Sequence, residues 1–133
     1  MKADRVIAAA REYLGTPFHH QGRQKNRGLD CAGLIECVAR DLGYSVPVHD
    51  GYARTPYNGL FEQRLSEYMI SDVEKQPGCV ILIKFMGMDP SHTAIYTGKT
   101  IIHAYESAGR CVEHAYDKKW QRMTVRAYGW PRG

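Results

Sequence analysis

Gly28-Leu29-Asp30-Cys31-Ala32-Gly33-Leu34-Ile35 is the stretch around which the chain is organised, because it puts a cysteine where a loop becomes a helix. Asp30 suits the N-cap, since its carboxylate can accept from the unpaired backbone N–H groups of the first turn. Leu34, Ile35, Val38 and Leu42 then recur at helical spacing, and Gly43 supplies the stop. Cys31 accordingly takes the first helical position, at the positive end of the helix dipole. A thiolate is favoured there, so a lowered thiol pKa is expected. A cysteine used only for packing gains nothing from that position, and the stretch reads as a nucleophile.

At 133 residues the chain fits one domain, residues 1–133, with room for a proper core. Its hydrophobic fraction of 44% and charged fraction of 24% are those of an ordinary globular protein. The net charge of +4 favours approach to any polyanion, including nucleic acid, anionic lipid or cell wall, but Arg23-Gln24-Lys25-Asn26-Arg27 is the nearest thing to a basic run. That segment reads as a solvated loop, with substrate contact as the sharper alternative; nucleic acid is not an expected partner. The nine tyrosines suit a cleft wall or the rim of the core. No stretch approaches the roughly 18 apolar residues of a membrane span. The N-terminus leads into an amphipathic helix and not a secretory apolar region, so synthesis in the cytoplasm without an export signal is expected. Cys31, Cys37, Cys79 and Cys111 form no CxxC pair, and the last three read as small buried residues.

The first helix is expected from about Arg5 to Leu14, capped by Asp4, with Val6, Ile7, Ala10 and Leu14 as its apolar face. Gly15 and Pro17 end it, and residues 16–29 form a long loop before the cysteine. Residues 44–57 are turn-rich through Pro47, Asp50-Gly51 and Thr55-Pro56, and a third helix is expected over 59–68. After the Pro77-Gly78 turn the period changes. Strands are expected at 79–83, 92–97, 100–105, around 111–114 and at 123–128, with Gly98-Lys99 as a two-residue hairpin loop. Helices followed by a strand meander mean an α+β fold, with helices on an antiparallel sheet.

A nucleophilic Cys31 needs a base and a group to orient it. If the Gly98-Lys99 loop sets the register, Thr97 pairs with Thr100, His92 lies opposite Tyr105 and His103 opposite Ala94. His92 and His103 then form a diagonal pair on one face, roughly 7–8 Å apart at the backbone. That suits His92 as base and His103 as its orienter through the second ring nitrogen. A metal site is the competing reading of the same residues, and only His19, His20, His49 or Asp30 offer it further ligands. The reading adopted needs neither metal nor cofactor.

These residues carry a resemblance. Gly15-Thr16-Pro17-Phe18 and Gly28-Leu29-Asp30-Cys31-Ala32-Gly33-Leu34 resemble the nucleophile region of NlpC-family cell-wall cysteine peptidases. Pro77-Gly78, Ser91-His92-Thr93-Ala94-Ile95-Tyr96 and Ile102-His103-Ala104 follow that family's later motifs in order, so the likeness spans nearly the whole chain. It implies a papain-like α+β fold, N-terminal helices on a central antiparallel sheet of about five to six strands. It also implies cleavage of peptidoglycan stem peptides, typically between γ-D-glutamate and a diamino acid. Cys31 would attack the carbonyl, His92 would move the proton, and His103 would orient His92. The oxyanion and substrate positions would involve Asp30, Ala32 and Ser91. The family's serine after the nucleophile is Ala32 here, and the aspartate after its Pro-Gly turn is Cys79. The family's oxyanion-site aromatic falls within Phe18-His19-His20-Gln21-Gly22, and its role is carried to His20. The Pro-Phe-His-His-Gln-Gly text and Arg110-Cys111-Val112-Glu113-His114 are most similar to phage-tail and gene-transfer-agent members. Under that likeness the partners are the peptidoglycan peptide and other tail proteins, and the location is a virion or prophage tail. Two alternatives stay open: an idle tail-assembly protein on the same fold, or an acyltransferase or amidase. An apolar cleft would favour the latter; a cationic one would favour a peptide bearing carboxylates.

Overall fold

The cysteine helix is the element against which the rest of the chain packs. In the computed structural model, which describes residues 2–46 and 60–131, it runs Cys31–Asp41 (α2). Asp30 caps it as expected, its carboxylate accepting from the Gly33 N–H at 2.7 Å. Leu34, Ile35, Val38 and Ala39 are fully buried on its inner face, and Gly43, at φ +88°, turns the chain away from its end.

The preceding helix, Lys2–Arg11 (α1), sets Val6, Ile7 and Ala10 into the same core. Its limits differ from the sequence expectation: Asp4 lies inside the first turn, and Leu14 is 38% exposed. The reason is local. After Arg11 the backbone tightens into i→i+3 turns, with Tyr13 N–H donating to Ala10 O and Leu14 N–H to Arg11 O. The 3.6-residue period stops applying there, so Tyr13 takes the buried position and bonds Asp41 at 2.6 Å.

Residues 16–29, expected as loop, contain a small antiparallel hairpin, Arg23–Gln24 (β1) with Gly28–Leu29 (β2). It draws Arg23 inward. The guanidinium forks onto both oxygens of buried Glu36 at 3.1 Å and reaches Asp30 Oδ1 at 2.9 Å. Lys25 pairs with Glu12. The basic segment is therefore neither a purely solvated loop nor a substrate contact at Arg23; its first arginine neutralises two carboxylates under the nucleophile turn. Gly33 is required by the same crowding, because a Cβ there would run into the Gly22 carbonyl oxygen.

Leu60–Ser66 (α3) buries Phe61 and Leu65, while Pro47, His49, Asp50-Gly51 and Thr55-Pro56 lie outside the described residues. The remaining strands are Ile70–Ser71 (β3), Val80–Ile83 (β4), His92–Tyr96 (β5), Thr100–Tyr105 (β6), Arg110–Ala115 (β7) and Thr124–Gly129 (β8). They form one antiparallel six-stranded sheet in the order β3-β8-β4-β5-β6-β7. β5 and β6 pair Ile95 with Ile102 and Tyr96 with Ile101, the register that the Gly98-Lys99 loop predicts.

Both faces of the sheet are covered. Val80, Leu82, Ile95, Ile102 and Ala104 face α1 and α2. Ile81, Ile83, Ala94 and Ile101 face Tyr116 and Trp120, the latter from a short helix, Lys118–Met123 (α4), that the sequence reading did not anticipate. Double coverage explains why β4 is a continuous apolar run and not an alternating one. Among the described residues, no helix is long and apolar enough to cross a membrane.

Candidate functional site

Strand alternation places His92 with Ala94, and His103 with Ile101, on the α4 face of the sheet, opposite the body of α2. Cys31 and the histidines therefore meet only at the end of the sheet, where α2 begins and β5 starts. There the Cys31 thiol donates to the Ser91 carbonyl oxygen at 3.7 Å, and the Thr93 hydroxyl donates to the Cys31 carbonyl at 3.2 Å. Cys31, Ser91 and His92 open together on a cleft of about 250 Å³. Its walls are Phe18, Phe85, Met88 and Tyr105, with Glu106 and Ser107 also lining it. A larger groove of about 590 Å³ beside α1 and the β5–β6 turn has neither cysteine nor histidine in its lining.

His92 is held from behind. Its Nε2 lies 2.6 Å from His103 Nδ1, leaving Nδ1 as the ring nitrogen without a hydrogen bond among the described residues. Burial drives both imidazoles toward their neutral forms, His92 down to about 3 and His103 to about 2, the latter helped by its histidine neighbours. Tyr105 stacks on His103 with centroids 4.9 Å apart, and Trp120 meets it edge-on at 5.1 Å. Phe85 lies 5.3 Å from His92. This aromatic box buries most of the two rings, leaving His92 its edge on the cleft.

The thiol departs from its sequence expectation. Desolvation and the Asp30 charge push Cys31 up to about 12, outweighing the Ala32 N–H, which favours the thiolate as a helix start should, and the N–H and hydroxyl of Thr93 in β5, which act in the same sense. The resting thiol and imidazole are thus both neutral. The dipole argument has the right sign for one contribution, but burial is the larger one.

The other candidates fall in different places. Asp30 is buried, and its oxygens take the N–H groups of Gln21 and Gly33 and the Arg23 guanidinium. It shapes the turn that presents Cys31. His20 stands beside it, Nδ1 4.0 Å from Asp30 Oδ2 and Nε2 3.4 Å from Gln21 Nε2, and is not a wall of the cleft. Ala32 follows Cys31 in the first helical turn. Among the described residues, no group of three His, Cys, Asp or Glu side chains is arranged to hold a metal ion.

One residue was not singled out from the sequence. His114 Nε2 lies 2.8 Å from His103 Nε2, extending the pair into a row of three rings. β6 and β7 pair His103 with Val112 and Ile101 with His114, so His114 stands on the same diagonal from His103 as His103 does from His92. The repeated interval, His92 to His103 to His114, was the available signal.

The sequence model of the NlpC/P60 family matches residues 15–129. A comparison with curated proteins returns no match. Among solved structures, a Staphylococcus aureus protein described as similar to a lipoprotein of the NLP/P60 family superposes with a TM-score of 0.70 at 24% identity, over 99% of this chain and 42% of that one. The NlpC/p60 domain of the peptidoglycan hydrolase SagA gives 0.65 at 21%, over 94% and 96%. The peptidoglycan hydrolase RipB from Mycobacterium tuberculosis gives 0.66 at 18%, over 96% and 63%. This chain thus spans about two fifths of the Staphylococcus aureus protein's length. At these identities the neighbours speak for a shared fold, and the match over residues 15–129, which encloses Cys31, His92 and His103, speaks for descent: the chain belongs to the NlpC/P60 family.

Proposed function

We propose that this chain is a cysteine endopeptidase that hydrolyses peptidoglycan stem peptides at the γ-D-glutamyl–diamino acid bond. The observation that carries the reading is the convergence of Cys31 and His92 on one cleft, with His103 bonded to the far side of the His92 ring. Family membership and the peptidoglycan hydrolases among its structural neighbours support the substrate class.

Because thiol and imidazole both rest neutral, proton transfer accompanies attack. The thiol proton passes to His92 Nδ1 as Sγ bonds the scissile carbonyl carbon, and the carbonyl oxygen takes the negative charge. The C–N bond then breaks, the amine leaves with the proton from His92, and a thioester remains. Water adds to the thioester, giving its proton to His92; the C–S bond breaks and the thiol is re-formed. We assign the oxyanion to the backbone N–H groups at the start of α2, those of Cys31 and Ala32, since His20 lies outside the cleft walls. The Ser91 carbonyl holds the resting thiol. Action from a phage or prophage tail, in contact with other tail proteins, is the setting that the sequence likeness supports.

The cleft walls favour a second reading. Among the described residues its lining contains aromatic side chains and Met88 but no lysine or arginine, and Arg23 is tied to Glu36 and Asp30. Such a surface suits the acyl group of a lipid or small amide as well as a peptide, so an amidase or acyltransferase is the alternative.

One experiment separates these readings. Purified peptidoglycan is incubated with wild type, Cys31→Ala and His92→Ala, and released amino groups are counted while fragments are weighed by mass spectrometry. Release by wild type alone supports the peptidase, and fragment masses identify the bond. No release from peptidoglycan, with Cys31-dependent turnover of an acyl amide, transfers support to the alternative. Inertness toward both leaves the idle tail-assembly protein.

A further inference from the structure

The row of histidines ends on a group whose role is fixed. His114 Nδ1 lies 3.0 Å from the carbonyl oxygen of Ala115, and a carbonyl can only accept. That nitrogen therefore carries the proton, and in a neutral ring Nε2 must then be an acceptor. Its partner at 2.8 Å, His103 Nε2, is then the donor, which leaves His103 Nδ1 bare. His92 Nε2, 2.6 Å from that bare nitrogen, must donate to it. His92 Nδ1 is thus left unprotonated, the form a base needs.

We propose that His114 is a positioning residue that sets the tautomers of His103 and His92 from the outer end of the row, so that the Ala115 carbonyl dictates which nitrogen of His92 is the base. The proposal rests on the assignment of His92 as base above, but its first readout does not depend on catalysis. Among the described residues, no carboxylate bonds to any of the three rings, so the task that an aspartate performs in many triads falls to a backbone carbonyl acting through two imidazoles. Trp120 holds the relay in place, its ring 5.1 Å from both His103 and His114.

The arrangement also moves charge. When His92 Nδ1 takes the Cys31 proton, its Nε2 proton can pass to His103 Nδ1, and the His103 Nε2 proton to His114 Nε2. Each ring gains one proton and loses one, except His114, which ends as the cation. The positive charge then lies on a partly exposed ring instead of a buried one. Reversal of the relay returns a proton to His92 Nε2, and the ring then releases the proton held on Nδ1 to the leaving amine.

The test is nitrogen-15 correlation spectroscopy of the full chain, labelled at histidine, at about pH 8, above the ordinary imidazole range. Two-bond couplings identify the tautomer of each ring. Wild type should show Nε2–H on His92 and His103 and Nδ1–H on His114. His114→Lys offers only donors and should invert both inner rings to Nδ1–H, lowering kcat by about 100-fold with KM within about twofold. His114→Gln can still accept through its amide oxygen, so it should keep the wild-type tautomers of the inner rings and stay at least about tenfold more active than the lysine variant. An Nδ1–H tautomer on His103 in wild type overturns the proposal, whatever the activity. So does a lysine variant, folded by its amide spectrum, with unchanged inner tautomers. If the tautomers follow the pattern but wild type hydrolyses nothing, the relay stands and the functional reading fails.

Discussion

Acid should destabilise this protein through two buried rings, in a pH window that carboxylates do not share. His92 and His103 are 6% and 0% exposed and are held far below the ordinary imidazole value of 6.5 by loss of hydration. A base with a depressed folded pKa binds protons first in the unfolded chain. Stability is therefore complete above the unfolded pKa and falls as pH drops below it, until the folded pKa values near 3 and 2 are reached. Between pH 7 and pH 5 the unfolded chain gains about 0.7 proton at each site and the folded chain almost none, which costs about 2 kcal/mol per ring and about 4 kcal/mol together. That is a large part of the 5–15 kcal/mol, roughly, of a typical domain. With a urea slope of about 2 kcal/mol per molar, the unfolding midpoint should fall by about 2 M across the window. Glu113, whose carboxyl is lowered chiefly by its hydrogen bond to Arg11, loses its contribution below this range and does not confuse the reading. Urea titrations at pH 7, 6 and 5 measure the slope for wild type, His103→Gln and the His92→Gln/His103→Gln pair. The single variant should halve it and the double variant remove it. A wild-type midpoint that stays level from pH 7 to pH 5, or a double variant as acid-sensitive as wild type, would refute the claim that these rings are buried neutral.

Two other consequences can be measured directly. The raised thiol of Cys31 should make iodoacetamide alkylation at pH 7, located by peptide mass mapping, slower than that of an unstructured cysteine and still rising about tenfold per unit through pH 9; a rate that levels off below pH 7 would restore the dipole-activated thiolate. Replacing Arg23 with Met takes a shared guanidinium from two buried carboxylates, leaving Glu36 only its longer 3.5 Å pair with Arg40, and should cost about 3 kcal/mol in a denaturant titration, whereas adding Glu36→Leu to it should recover part of the loss. Equal losses in the single and double variants would show that packing of the arginine stem, not charge, is what matters.

What could be read from the sequence was whatever depends on short-range rules. The start of α2 follows from Asp30 and the spacing of Leu34, Ile35 and Val38, and the β5–β6 register follows from a two-residue loop, because a tight hairpin leaves only one way to count. What escaped depends on contacts between distant segments. β1 and β2 are two residues each and carry no period, so nothing announced that Arg23 would turn inward to Glu36. Helix α4 was hidden because its one large buried side chain, Trp120, sits among lysines and an arginine. The helix start that should lower the Cys31 pKa is local, while the burial that overrides it comes from segments distant in sequence, such as Ser91 and Thr93 at the start of β5.

His114 shows where counting stops. From His92 to His103 the chain passes through Gly98-Lys99, and the diagonal can be deduced. From His103 to His114 it passes through a single helical turn at Glu106–Ala108 and then Gly109, in the left-handed region at φ +75°. That connection admits several registers, so the equal interval gives no geometry by itself. Once the Gly109 N–H closes onto the Tyr105 and Glu106 carbonyls, Tyr105 pairs with Arg110 and the rest of the ladder follows, bringing His114 onto His103. The outermost member of the row is therefore placed by Gly109, which lies before it in the chain at the turn into β7, and a Gly109→Val exchange, which strains that turn without touching a histidine, should disturb the His103 tautomer before it disturbs the core.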